Sequence, residues 1–154
     1  MPRLPRFLAL IILAAPLRLV AQTDSPADAV RVSVLLNPDG SRTVYEADNV
    51  NHKSIATTTG KDGKMREKIR YDLDEGGRFL RGEVYGPKEQ FRFFAKYRYD
   101  GDNHLIEETH FARDQSVIGK IVFRYDVTGR QIGYSSYDGN GRLLGQTIPI
   151  TKRP

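Results

Sequence analysis

The sequence predicts an all-β fold: an antiparallel meander of about ten strands built from repeated β-hairpins, curled or barrel-like, after an N-terminal signal helix. Turn-forming clusters recur every 11 to 14 residues, which leaves too little chain between them for helices of ordinary length. Residues between the clusters alternate between apolar and polar positions, the period of a strand with two different faces. No segment beyond the first 21 residues shows the pattern of an amphipathic helix.

The first 21 residues predict a secretory signal peptide. Arg3 and Arg6 precede an apolar run at 7–17, and Ala21 offers a small residue for cleavage. The run of eleven residues is too short to span a bilayer, although an uncleaved anchor remains the alternative. We therefore expect export to the periplasm or the exterior after cleavage near Ala21, and no transmembrane span in the mature chain.

Cleavage changes the charge of the protein. The 154-residue chain has 24 basic and 19 acidic residues, and Arg3, Arg6 and Arg18 leave with the signal. The remaining 21 basic residues give the mature chain a formal net charge of +2 instead of +5. This balance does not favour nucleic acid as a partner. The absence of cysteine excludes disulfides, a thiol nucleophile and thiolate metal sites.

The mature chain divides into a short polar leader at 22–29 and a β-hairpin repeat domain at 30–150. Val30, Val32 and Val34 alternate with polar residues in the first strand. Nine turns then separate about ten strands, with Gly, Asn and Asp at the positions that tight turns require. The turns are predicted at 37–40, 49–52, 60–63, 74–77, 86–89, 100–103, 112–115, 126–129 and 138–141.

A six-residue phrase, Tyr-Asp-x-x-Gly-Arg, occurs at 125–130 and again at 137–142. Asp is favoured at the start of a type I turn, and glycine at its fourth position can take a left-handed conformation and form a bulge. Turn-structural roles are therefore predicted for Asp126, Gly129, Asp138 and Gly141. The same geometry places each Asp opposite the Arg that ends its phrase.

The tyrosines of these phrases predict the cross-strand pairs next to the turns. Tyr137 is expected to face Leu143, and Tyr99 to face Leu105. Around a longer loop, Tyr71 is expected to face Phe79. Tyr125 departs from this pattern because its expected partner is Gln131.

The repeated phrase resembles the YD repeat of the Rhs family of bacterial surface and secreted proteins. The resemblance covers residues 70–146, with looser copies beginning at Tyr71 and Tyr99. In that family, long arrays form a β-sheet shell around a toxin domain, but this chain has too few copies for a shell. The resemblance therefore implies a hairpin architecture and an exported setting. The segment GRFLRGEVYG is more loosely similar to MORN-type repeats, which implies the same architecture.

No constellation of residues predicts catalysis, a cofactor or a metal site. His104 and His110 are six residues apart on one predicted strand, roughly 20 Å, which is too far to share one ion. Glu107 and Glu108 are adjacent and point to opposite faces. The Asp clusters at 72–75 and 100–102 lack the ligand spacing of calcium loops and fit turn chemistry.

Basic residues on alternate strands are the strongest candidates for a binding site. They are predicted on the face away from the tyrosines, where they would form either a polyanion-binding patch or a solvated face that discourages aggregation. These residues are Arg66, Lys68, Arg70, Arg92, Lys96, Arg98, Lys120 and Arg124.

The opposite, tyrosine-bearing face is predicted to be apolar on the strands at 90–99 and 117–125. Phe91, Phe93 and Tyr97 belong to it, yet the same alternation would place Arg81 and Glu83 there, and likewise Glu107. Either the register slips at these residues or the face is not a dry core. A single sheet cannot bury either face alone, so we expect this face to be covered by curling or by a second copy.

These observations predict an exported, non-catalytic β-repeat protein of the bacterial cell envelope or exterior, which acts as a binding or assembly surface. Its expected partners are a protein or an envelope polymer, including an anionic one, and homo-oligomers are consistent with the pattern. The alternative function is a small secreted β-barrel that carries an apolar ligand. An outer-membrane barrel is less favoured because the strands are short and the chain ends in Lys-Arg-Pro.

Overall fold

The computed structural model describes residues 30–147 and contains ten β-strands. Within this range there is no helix, and hence none that could cross a membrane. The predicted all-β meander of ten strands is confirmed. The predicted signal peptide, the leader and residues 148–150 of the predicted domain lie outside the described residues. The strands are β1 (Val30–Leu36), β2 (Arg42–Asp48), β3 (Lys53–Thr59), β4 (Met65–Leu73), β5 (Phe79–Tyr85), β6 (Phe91–Tyr99), β7 (Leu105–Phe111), β8 (Val117–Tyr125), β9 (Gln131–Asp138) and β10 (Leu143–Gln146).

All ten strands belong to one antiparallel sheet, and their order in the sheet follows their order in the sequence. The sheet does not close into a barrel, because β1 and β10 form its two free edges. The two edges differ: β1 is a regular seven-residue strand with every residue exposed, whereas β10 has four residues and an irregular register. The predicted meander is therefore an open sheet and not a closed barrel.

The turns fall at the nine predicted places, and eight of them share one hydrogen-bond pattern. In the turn between β8 and β9, for example, the Gly129 N–H donates to the Asp126 carbonyl, and the Asp126 N–H donates to the Arg130 carbonyl. The fourth residue of each such turn has a positive φ, as expected for a type I turn followed by a glycine-type bulge. These residues are Gly40, Gly63, Gly77, Glu89, Asn103, Gln115, Gly129 and Gly141.

A second irregularity recurs in seven hairpins. Three residues after the positive-φ position, one residue of the outgoing strand has no partner, so that two residues there face one on the preceding strand. The extra residue reverses the alternation of faces at that point. The bulged residues are Arg66, Leu80, Arg92, Ile106, Ile118, Ile132 and Leu144.

These bulges correct several face assignments made by strict alternation. Leu80 is bulged, so Arg81 pairs with Lys96 and Glu83 with Phe94, on the face away from the tyrosines. The bulge at Ile106 likewise places Glu107 opposite Arg98 on that face. The register therefore slips at Leu80 and Ile106, which moves the charges of the three residues that follow away from the tyrosine face.

Two further expectations are wrong, the first because of the bulge at Arg92 and the second because the β4–β5 turn is shorter than the predicted loop. Phe91 pairs with Tyr85 and contacts Phe94, so it lies on the face away from the tyrosines. Tyr71 pairs with Gly82, while Leu73 is the residue that pairs with Phe79. By contrast, Tyr99 pairs with Leu105, Tyr137 with Leu143 and Tyr125 with Gln131, as predicted.

The core lies on one face of the central strands, hereafter the tyrosine face. Its buried apolar residues are Ala56, Ile69, Tyr71, Leu73, Val84 and Ala95. Tyr71 lies opposite Gly82, and its ring stacks on Phe79 at 4.0 Å and approaches the Tyr97 ring at 6.0 Å. Since Tyr71 and Tyr97 come from strands separated by β5, large side chains close over the small residues between them. In the described part of the chain, the sheet thus covers the centre of this face with its own side chains.

Candidate anion-binding face

The face opposite the tyrosines, hereafter the basic face, is lined by alternating positions on β4 to β8. Lys68, Tyr85 and Phe91 form one row across it, and Arg81 and Lys96 form another together with Thr109. Strands β4, β6 and β8 are separated by β5 and β7, so the predicted basic residues come from alternate strands. Their environments decide which of them can meet a ligand.

Four of the eight predicted basic residues lie beside carboxylates from other elements. Lys68 reaches Glu89 at 2.9 Å, and Arg66 reaches Asp39 at 3.0 Å. Arg98 and Lys120 share Glu107, at 3.1 and 3.8 Å. Exposed pairs of this kind contribute about 0–1 kcal/mol each, but they reduce the net positive field. The uniform basic row expected from the sequence is therefore partly neutralised.

Arg92 does not belong to the basic face, which corrects its predicted assignment. It is the bulged residue of β6, and its guanidinium lies 3.1 Å from Glu67, which alternates with Ile69 and Tyr71 on the tyrosine face. Burial raises the pKa of Glu67, and the positive charge of Arg92 opposes that rise. Arg92 thus forms a partly buried ion pair with Glu67.

The remaining three predicted residues have no carboxylate partner in residues 30–147. Arg124 is half-buried and donates to the Thr147 carbonyl, so it is held near the end of the sheet. Arg70 lies over the Tyr85 ring at 5.0 Å, and Lys96 lies over the Phe111 ring at 5.1 Å. Of these, Lys96 is at the centre of the sheet and exposed.

Lys96 lines a groove of about 390 Å³ on the basic face, together with residues that the sequence did not single out for binding. Arg81 comes from the neighbouring strand, and Arg113 and Gln115 come from the turn between β7 and β8. Phe94 and Phe111 form the apolar part of the lining. The bulge at Leu80 obscured the face of Arg81, and the ARDQ segment predicts only a turn, with no sequence signal that marks Arg113 and Gln115 for binding.

The cations of the groove rest on aromatic rings. The Arg81 guanidinium lies 4.2 Å from the Phe94 centroid, and the Arg113 guanidinium lies 4.7 Å from the Phe91 centroid. Phe91 and Phe94 are themselves in contact at 4.7 Å. Such cation–π contacts contribute roughly 0.5–1 kcal/mol each at exposed sites and restrict where the charges can go.

A second groove, of about 310 Å³, differs in its charge. It is lined by Lys53 and Arg70 but also by Asp72 and Glu83. Lys53 and Asp72 form an ion pair at 2.5 Å. The lining of this groove is electrically balanced, whereas that of the Lys96 groove contains cations and no carboxylate.

The histidines and acidic clusters considered from the sequence take part in local contacts. His104 Nδ1 lies 3.0 Å from Asp100, and His110 Nε2 lies 2.7 Å from Glu108. Ligand atoms of Asp100, Asp102 and His104 lie within 4.8 Å of one another, but Asp100 Oδ1 already accepts the backbone N–H groups of the other two residues. This geometry is that of a turn.

The predicted turn residues have the local geometry that their roles require. Gly129 and Gly141 have φ values of 77° and 81°. The Nε atoms of Arg130 and Arg142 lie 3.1 Å from the carboxylates of Asp126 and Asp138. Hydrogen bonds from the Thr128 hydroxyl and the Arg130 N–H lower the pKa of Asp126 to about 2.

No family model matches the chain, and no curated protein matches it.

Proposed function

We propose that the protein is an exported, non-catalytic β-repeat protein of the cell envelope or exterior, whose basic face binds an anionic partner. The groove around Lys96 supports this proposal, because it concentrates cations without a lining carboxylate near the centre of an extended surface. The basic, apolar and small-residue order of the first 21 residues supports export.

The architecture suits binding more than chemistry. The sheet is a single layer whose buried core lies on the tyrosine face, and the basic face carries only half-buried aromatic residues such as Phe91 and Phe94 beneath its cations. Many electrostatic contacts on a rigid sheet favour a polymer with repeated negative charges, since each contact is individually weak. An anionic envelope polymer is therefore the partner we favour.

The binding role can be tested by retention of the mature protein on immobilised dextran sulfate. The Lys96→Gln, Arg113→Gln double variant should elute at lower salt than the parent, because it removes two cations of the groove. The Lys61→Gln, Lys64→Gln double variant is the matched control, since it removes the same charge from the turn between β3 and β4. Equal losses for both variants would mean that net charge alone governs retention, and the proposal would fail.

Export is tested separately by expressing the full chain in a bacterium and sequencing the N-terminus of the exported protein. A mature chain beginning at or near Gln22 is expected. Recovery of intact Met1 in the membrane fraction would contradict it.

A further inference from the structure

The Lys96 groove has a chemistry more specific than a general positive surface. Arg81 and Lys96 are direct cross-strand partners, so their side chains start about 5 Å apart, and Arg113 approaches from the adjacent turn. Arg81 lies 3.2 Å from Glu83, while Lys96 and Arg113 have no carboxylate partner among the described residues. A ligand that enters the groove therefore meets three cations and displaces at most one existing ion pair.

The aromatic residues of the groove position cations and do not offer open stacking platforms. Arg81, Lys96 and Arg113 each lie over a phenylalanine ring. A nucleobase could stack there only by displacing one of these cations. The groove is thus suited to a ligand that is recognised by compact negative charge. Holding the cations in place before binding also reduces the ordering cost of association.

Gln115 provides a second, independent observation. It has a φ of 67°, a conformation that is strained for a residue other than glycine. The other non-glycine residues at this turn position use their side chains: Glu89 binds Lys68, and Asn103 accepts a bond from Arg78. The Gln115 amide has no hydrogen-bond partner in residues 30–147, and it lines the groove. A free amide donor is thereby held beside three cations.

We propose that the groove formed by Arg81, Lys96, Arg113 and Gln115 binds the phosphate group of a phosphorylated ligand. The forked guanidinium groups match phosphate oxygens, Lys96 adds a point charge, and the Gln115 amide adds a neutral donor. The inference rests on the proposed function, because it identifies the chemical class of the anionic partner.

The test is a titration of the isotopically labelled mature protein, followed by NMR shifts of the backbone amides of β6 and the β7–β8 turn. Pyrophosphate, sulfate, methyl phosphate and vesicles containing phosphatidylglycerol are the probes. Saturable shifts with pyrophosphate or methyl phosphate identify a soluble phosphoryl ligand, and binding to the vesicles alone identifies a lipid headgroup. Both results support phosphate recognition. Equal affinity for sulfate would overturn it while leaving the dextran sulfate result intact.

Variants separate a binding role from a structural one. Arg113→Gln should weaken binding about tenfold, the effect of losing one charge-assisted hydrogen bond. Gln115→Gly should also weaken binding, yet raise the urea midpoint, because glycine relieves the positive-φ strain. Lys61→Gln is the control and should change neither property by more than the loss of one distant charge. If Arg113→Gln and Gln115→Gly both bind phosphate as the parent does, the assignment is wrong.

Discussion

The pair of glycines in the turn between β4 and β5 allows the turn chemistry to be measured with a single added methyl group. Gly77 has a φ of +79°, and a Cβ built there would meet no atom within 4 Å. Its neighbour Gly76 does not have a positive φ, and a Cβ there would meet only Asp74 Oδ1 at 3.4 Å, an ordinary contact. Gly77→Ala therefore adds backbone strain without a clash, and Gly76→Ala adds neither.

The expected magnitude follows from these geometries. The left-handed conformation costs an L-residue about 1–2 kcal/mol, so Gly77→Ala should lower the free energy of unfolding by that amount. Gly76→Ala should raise it by about 0.4–1 kcal/mol, because alanine reduces the conformational freedom of the unfolded chain. The turn lies beside Leu73 and Phe79, which pack in the core, so fraying of a terminal strand cannot relieve the strain.

Urea denaturation of the mature protein provides the assay. With a slope of about 2 kcal/mol per molar, Gly77→Ala should shift the midpoint down by about 0.5–1 M. The Gly76→Ala midpoint should stay level or rise. Coincident midpoints for the two variants would refute the assignment of the positive-φ position, and with it the account of the repeated turn.

Three further predictions test the ends, the faces and the pH dependence of the sheet. Gly141→Val should lower the free energy of unfolding by about 1–3 kcal/mol through positive-φ strain. Asn140→Ala should stay within about 0.5 kcal/mol of the parent, and urea denaturation of both variants compares the two free energies. Phe93→Ala should lower the free energy of unfolding by about 2 kcal/mol, because Phe93 packs against the core. Lys96→Ala should leave the thermal midpoint almost unchanged. Reversed effects of the two variants would mean that the faces are misassigned. Lowering the pH from the ordinary Asp pKa of 3.8 to about 2 should destabilise the fold, because the lowered pKa of Asp126 contributes stability that is lost when its carboxylate is protonated. Asp126→Asn should lessen this loss of stability in thermal melts recorded at several pH values. An unchanged pH profile in the variant would exclude the contribution.

The turns could be predicted from sequence because their causes are local. Asp126 accepts hydrogen bonds from Thr128 and from the backbone of Arg130, all within five residues. Gly129 supplies the positive φ that continues the hairpin. Neither feature depends on what the rest of the chain does. Strand number, strand order and the pairs nearest the turns follow from such local choices.

The faces were harder to predict because the bulges are not marked by a distinctive residue type. Arg92, Ile106 and Leu80 occupy equivalent bulged positions, and nothing in their chemistry separates them from ordinary strand residues. Each one reverses the alternation by a single residue, which exchanges faces for every residue before the next turn. The only sequence signal is positional: the bulge comes three residues after the left-handed position. Strict alternation therefore placed Phe91 and Arg92 on the wrong faces.

The same bulges explain how one sheet can present both a core and a binding face. Without the bulge at Leu80, Arg81 would point toward Tyr71 and Tyr97, where burial of an unpaired guanidinium would be costly. With it, Gly82 takes the position opposite Tyr71, and the tyrosine ring can close over the glycine. Arg81 then lies on the basic face, beside Lys96. The unpaired residue Leu80 thus determines both which residue packs under Tyr71 on the tyrosine face and where the charge of Arg81 lies on the basic face.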